Sequence, residues 1–330
     1  MPDYFVLGGC LRSELTFPEL AESRDRAPDW TLTVGTLAPD NATEVLADSS
    51  LTPTCRIRVS LRDGHLRYHH SCAGTFEIAP SGREIVFDAA ASHDLNAARN
   101  DLVARLLLYC VDRRNIAWLH GSAVRIENAA VAFLGRSGAG KSTLALALAH
   151  GGCDHVCDDV LPISCSDQPT IWSSDDIIRL HDDSKSRLAL KAPFLRRESD
   201  GKFLLSHRAL EGMPSSAARP AAGQIPLSAI YILDPVAPNE GTARLIRSLL
   251  QPRTALPLLI QHLKLPTVIR SDDPARAMKQ LGVVAAAVPV YSLRVPRDWS
   301  ALSAAVTQII EWHRGSAVKP AVSAAGEAVA

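Results

Sequence analysis

One stretch near the middle of the 330-residue chain constrains the fold more than any other. Six apolar residues, Ala129-Ala130-Val131-Ala132-Phe133-Leu134, run into Gly135-Arg136-Ser137-Gly138-Ala139-Gly140-Lys141-Ser142, and Thr143-Leu144-Ala145-Leu146-Ala147-Leu148-Ala149 follows. The apolar run predicts a strand buried on both faces. The Ala/Leu run predicts a helix that stops near Gly151-Gly152. A glycine-rich loop between strand and helix turns successive backbone N–H groups inward, and the positive end of the following helix points at the same place. That is an anion cradle.

The loop matches G-x4-G-K-[ST], in which the lysine reaches the β- and γ-phosphates and the hydroxyl ligates Mg²⁺. With glycine near 7% of residues, a chance match in a chain this long has a probability on the order of one in a hundred. Gly135, Arg136, Ser137, Gly138, Ala139, Gly140, Lys141, Ser142 and Thr143 are therefore the expected nucleotide-binding residues, with ATP and Mg²⁺ as ligands.

The next strand is expected to end at Asp158-Asp159. Neighbouring side chains on a strand point to opposite faces, so two working carboxylates fit best where the backbone turns. One can then approach the metal and the other a substrate hydroxyl. Two adjacent anions also need a nearby cation to stay ionised together. A turn or capping pair is the plainer reading of Asp-Asp, and only the glycine loop tips the balance. His120-Gly121 precedes the strand that leads into the loop. A histidine at a strand end is usually structural, and here its spacing to the other two elements singles it out.

The rest of the chain frames this centre. Residues 1–94 read as a small, β-rich, antiparallel accessory domain, with Cys55–Leu61 alternating at period two and Pro80-Ser81-Gly82 marking a turn. Arg67-Tyr68-His69-His70 reads as a solvated strand or loop. Leu95 to Val111 is helical. Strands are expected at Ser228–Leu233 and Val290–Val295, and helices near Ala243–Leu250, Thr254–Leu263 and Trp299–His313. Residues 315–330 lack useful periodicity and read as a disordered tail.

Equal numbers of Lys+Arg and Asp+Glu, 35 each, argue against a coat for nucleic acid or anionic lipid. The longest apolar stretch, Leu281 to Leu293, is too short to span a bilayer. Leu7-Gly8-Gly9-Cys10 mimics a lipoprotein cleavage site but lacks the basic start and apolar core of an export signal. Seven cysteines without C-x2-C spacing read as reduced thiols, so the expected setting is the cytoplasm.

His120-Gly121-Ser122-Ala123-Val124, the loop from Gly135 to Ser142, and Asp158-Asp159-Val160 together resemble the HPr kinase/phosphorylase family, relatives of phosphoenolpyruvate carboxykinase. The likeness is strongest from Leu119 to Ile163 and continues to about Leu302. It implies an α/β fold: an HPr-kinase/PEPCK-like P-loop core of mixed sheet with helices over 95–314, preceded by the β-rich domain. It implies Asp159 as general base on an acceptor serine and Lys141 as phosphate ligand. Ser142 and Asp158 would be metal ligands, and His120 an active-site histidine. The Glu-containing signature of true HPr kinases is not evident. At that place stands Ser173-Ser174-Asp175-Asp176, where either acid is a metal-ligand candidate and solvated loop residues are the alternative. That departure and the N-terminal region make the chain more similar to kinases that phosphorylate a serine of lasso-peptide precursors.

The expected partner is thus a peptide or small protein bearing an acceptor serine, with no nucleic acid and no membrane; a homo-oligomer is compatible with the reading. Arg187, Lys191, Arg196, Arg197 and Lys202 are candidates to grip an acidic peptide, or a solvated basic loop. A small-molecule hydroxyl kinase and a nucleotide-dependent switch or assembly ATPase are the alternatives. A transporter ATPase is disfavoured, since no L-S-G-G-Q-like signature is present.

Overall fold

The computed structural model describes residues 1–18, 20–23, 27–41, 44–50, 53–90, 92–111, 116–172, 177–180, 196–197, 203–206, 224–236, 245–264, 274–296 and 298–315. The N-terminal region forms a nine-stranded sheet in the spatial order Ala21–Glu22, Asp3–Val6, Gly9–Ser13, Trp30–Val34, Glu84–Asp88, Gly74–Ile78, His65–His70, Arg56–Arg62, Glu44–Ser50. It is not purely antiparallel as expected. Gly9–Ser13 and Glu84–Asp88 both run parallel to Trp30–Val34 between them. A parallel pair needs a crossover rather than a tight turn. The segment after Ser13 supplies one, with Leu15, Phe17 and Leu20 buried in the core instead of looping through solvent.

One further reading of this region changes. The strand His65–His70 alternates half-buried and buried side chains, so Tyr68 and His70 are interior rather than solvated. Cys10 of the cleavage-site mimic is fully buried, paired with Phe5 across a hairpin. None of the seven cysteines is in a disulfide.

Asp94 caps the helical segment 95–111 by accepting from the Asn96 and Ala97 amides at 2.9 and 3.0 Å. The segment passes through a π-helical turn at Leu102–Leu106. Its apolar residues, among them Ala98, Leu102, Leu106 and Leu107, join the same core as the N-terminal sheet. That core extends to Ile116, Trp118 and Val160, so the two sheets share packed side chains.

The second sheet is built around Gln224–Val236, a long strand that serves two sets of partners. Its first residues pair with Thr170–Trp172, continuing through Leu161–Ser164 to Ile116–Leu119. Further along, it runs parallel to both Ala129–Leu134 and Val290–Pro296. Gly121–Ile126 and Asp154–Asp158 complete the order beyond Ala129–Leu134. Every residue of Ala129–Leu134 is buried, as its unbroken apolar run requires. Ala130, Ala132 and Leu134 face a cluster with the helices Pro252–Gln261 and Pro274–Ala287. Val131 and Phe133 face the helices Lys141–His150 and Trp299–His313. The sheet is thus covered on both sides.

One expectation fails here. In place of the helix expected near Ala243–Leu250, the described residues give an antiparallel strand, Ile246–Leu249, against Val290–Pro296, with Ile246 and Leu249 exposed on its edge. The apolar run near Leu281 belongs mainly to the helix Pro274–Ala287. A small three-stranded sheet, Ile177–Leu180, Phe203–Ser206 and Arg196–Arg197, shares no strand pairing with the main sheets and sets Ile177–Leu180 against Asp154–Asp158 and the helix Lys141–His150. Among the described residues no helix is long and apolar enough to cross a membrane. The expected tail lies outside the described residues beyond Gly315.

Candidate active site

Three chain segments converge where the buried strand Ala129–Leu134 ends. The loop leaves the sheet through Gly135 and enters the helix Lys141–His150 at Gly140. Gly138 and Gly140 take φ of +76° and +93°, a region that glycine alone occupies without strain. The cradle geometry therefore depends on these two positions. Ala139 turns instead into the core beneath the loop, and the Arg136 side chain is exposed.

Gly121 has a different reason. A Cβ there would lie 2.5 Å from Leu161 Cδ1 and 2.6 Å from the Phe133 carbonyl oxygen, so no other residue fits between these strands. That close approach sets His120 directly beside the end of Asp154–Asp158, because Gly121–Ile126 pairs with that strand through Ser122 and Asp158.

The adjacent aspartates separate completely. Asp158 is 1% exposed and turns inward, where its Oδ1 accepts from Ser122 Oγ at 2.6 Å and from Ser142 Oγ at 2.8 Å. The first residue of the pair is thereby tied to the phosphate loop. Asp159 follows the end of the strand with φ +69°, a left-handed conformation that Asp tolerates better than most residues. The reversal swings its carboxylate toward His120 and Lys264. His120 Nδ1 lies 3.1 Å from Asp159 Oδ1 and 3.2 Å from its carbonyl oxygen; with two acceptors at that nitrogen, Nδ1 carries the proton and donates. Lys264 Nζ makes an ion pair with Asp159 Oδ2.

Lys141 is buried and donates to the carbonyls of Gly135 at 2.8 Å and Arg136 at 3.1 Å. The lysine thus folds back over the loop it belongs to. His120, Ser137, Gly138, Gly140, Lys141, Ser142, Thr143, Asp158, Asp159 and Leu180 line one open cleft. Nine of the residues singled out in the sequence meet there.

Two neighbours carried no sequence signal. Lys264 sits 105 positions from Asp159, and His262 lies beside the same elements. Both are placed by a one-rung bridge between Leu119 and Leu263, flanked by His120 N–H to the His262 carbonyl at 2.7 Å and Lys264 N–H to the Trp118 carbonyl at 2.8 Å. Burial pushes the His262 imidazole below its ordinary pKa, and the charges of Lys141 and His120 add to that shift. No local pattern announces such a bridge; a basic residue just past a helix end is the faint cue. Asp175, Asp176, Arg187, Lys191 and Lys202 lie outside the described residues, and Arg196 and Arg197 are described only as a short backbone strand.

The donor set fits a hard divalent cation. Ser142 and Asp158 offer oxygens only, already drawn to each other at hydrogen-bonding distance, beside an anion cradle. No family model matches the chain, and no curated protein matches it. Among solved structures the chain is similar to the Hpr(Ser) kinase/phosphatase from Coxiella burnetii, with 15% identity and a TM-score of 0.32 over 60% of this chain and 95% of that one.

Proposed function

We propose that the chain is an ATP-dependent kinase that transfers the γ-phosphoryl group to a serine-type hydroxyl of a peptide or small protein, in the cytoplasm. The supporting observation is the division of labour between two adjacent carboxylates, Asp158 turned to the loop hydroxyl and Asp159 turned to the cleft beside His120 and Lys264. A nucleotide switch needs the first acid; a hydroxyl acceptor needs the second.

In this reading the loop amides and the helix N-terminus cradle the phosphates, and Lys141 exchanges its two loop carbonyls for phosphate oxygens. Ser142 and Asp158 would hold Mg²⁺, which when bound neutralises charge on the β- and γ-phosphoryl oxygens. The acceptor oxygen bonds to the γ-phosphorus as the bond to the β–γ bridging oxygen breaks. ADP leaves, and the hydroxyl proton passes to Asp159. His120 and Lys264 hold that carboxylate in place. The serine acceptor, and a lasso-peptide precursor as its carrier, rest on the sequence resemblance around His120, the loop and Asp158-Asp159.

Product analysis with ATP labelled at the γ-phosphate tests the proposal. A phosphoserine in a supplied precursor peptide supports it. A phosphorylated metabolite moves the acceptor to small molecules, and free phosphate alone, with every acceptor tried, points to a switch or assembly ATPase.

A further inference from the structure

Away from the cleft, at one end of the N-terminal sheet, Cys55, His70 and Cys72 each place a ligand atom within 4.8 Å of the others. The hairpin register brings them together. Ile57 pairs with His70, Ser71 N–H donates to the Arg56 carbonyl at 3.0 Å, and the Arg56 amide donates back to Ser71 Oγ at 3.0 Å. Continuing by one rung sets Cys55 opposite Cys72. The three are 15 and 2 positions apart in sequence, which no C-x2-C search detects.

The histidine is held as a metal ligand is held. Its Nδ1 is 2.6 Å from Asp101 Oδ2, and Asp101 is itself fixed by Arg105 one helical turn later. That leaves Nε2, which is buried and makes no hydrogen bond of good geometry, with the Cys55 thiol beside the ring; the residue is 6% exposed. A buried ring nitrogen without a well-formed hydrogen bond is costly unless something else engages it. A carboxylate that fixes the tautomer from behind is the usual support of a zinc-bound imidazole.

We propose that Cys55, His70 and Cys72 form a binding site for a thiophilic divalent cation of the Zn²⁺ class. Two sulfurs and one imidazole select against Mg²⁺ and Ca²⁺ and for zinc-like ions. Tetrahedral zinc with Zn–S near 2.3 Å and Zn–N near 2.0 Å brings ligand atoms about 3.5–3.8 Å apart, so the cluster needs to close by only about 1 Å. Each thiol gives up its proton to solvent on coordination. Cys55 and Cys72 are partly exposed, which leaves a fourth position open to water. The ion ties the hairpin end, through His70 and Asp101, to the helical segment 95–111. The site does not depend on the kinase reading.

The test is a Co²⁺ titration of the full-length protein, reduced and stripped of metal. One equivalent should develop the intense visible bands of a tetrahedral ion together with a thiolate-to-cobalt charge-transfer band, and Zn²⁺ should bleach both. Cys55→Ser/Cys72→Ser should lose the charge-transfer band, with circular dichroism and ATP binding unchanged. His70→Gln, which retains a donor toward Asp101, should bind at least tenfold more weakly. Should the double variant fail to fold, Cys72→Ser alone carries the comparison, because Cys72 occupies a partly exposed turn. A pale spectrum typical of oxygen ligands, an unchanged charge-transfer band in the folded cysteine variants, or a Cys55–Cys72 disulfide that persists in the protein despite reduction would each overturn the proposal.

Discussion

Asp158→Asn and Asp159→Asn are chemically the same change on neighbouring residues, and they should give opposite phenotypes. At Asp159 the amide preserves size, and Asn tolerates the left-handed φ of +69° as Asp does, so the chain reversal should survive. What is lost is the ability to take a proton. Removal of a general base lowers the rate about a hundred- to ten-thousand-fold, or roughly 2.7–5.5 kcal/mol of barrier. ATP affinity should stay within about twofold, since the Asp159 carboxylate is turned to His120 and Lys264 while Asp158 is the one bonded to the loop hydroxyl. At Asp158 the amide oxygen still accepts from Ser122 and Ser142, whose hydroxyls sit 2.6 and 2.8 Å away. The buried negative charge disappears, however, and with it one anionic oxygen for the metal. Apparent affinity for Mg²⁺-ATP should fall at least tenfold, about 1.4 kcal/mol, and raised Mg²⁺ should recover part of the rate. Calorimetry of ATP binding and mass spectrometry of the phosphorylated product separate the two effects. Loss of ATP binding in Asp159→Asn, with normal binding and failed transfer in Asp158→Asn, would reverse the assignment. Near-normal transfer by both would refute the general-base and metal-ligand roles given to the pair.

Lys141→Ala should abolish transfer in a folded protein; the circular dichroism spectrum should match the parent, because the side chain donates to the loop carbonyls of Gly135 and Arg136 and is not part of the apolar core. Lys264→Met removes the ammonium paired with Asp159 and should lower turnover about ten- to a hundredfold with ATP affinity unchanged, by the worth of a partly buried charged hydrogen bond; equal turnover would show that the pair is incidental. His313 should make stability depend on pH. Its Nε2 lies 2.8 Å from the Tyr231 hydroxyl in the core, and burial, aided by the Arg247 charge, lowers its pKa from 6.5 to about 4. The folded value is depressed, so stability is complete above about pH 6.5 and declines as pH falls toward 4. Urea unfolding should show a loss of about 2 kcal/mol between pH 7.5 and 5 that His313→Gln abolishes; an equal loss in that variant would assign it to other groups.

The parts of the fold legible in the sequence are those whose signal lies within one element. The helix Trp299–His313 has the expected bounds, capped by Asp298 through the Ser300 amide at 2.9 Å. The buried strand, glycine loop and helix from Ala129 to His150 follow from their own residues. Leu245-Ile246-Arg247-Ser248-Leu249-Leu250 shows why others were missed. Its apolar spacing suits a helix face or an edge strand equally, and only the neighbouring Val290–Pro296 decides. The parallel pairings of Trp30–Val34 are likewise invisible locally, because they depend on where a distant segment returns.

The candidate site divides along the same line. Loop, hydroxyl and carboxylates come together as their short spacing suggests, because a glycine-rich turn between a buried strand and a helix fixes residue types locally. The groups that set the charge around Asp159 do not. Lys264 arrives through a single bridge between Leu119 and Leu263, and nothing about a lysine after a helix distinguishes it from a solvated one. The same holds for Cys55, His70 and Cys72, brought together by hairpin register and not by a motif. Residues that contact a ligand through a preformed loop leave a pattern in the sequence. Residues that act on one another across a fold leave only their identities, and their chemistry becomes readable once the pairing of strands is known.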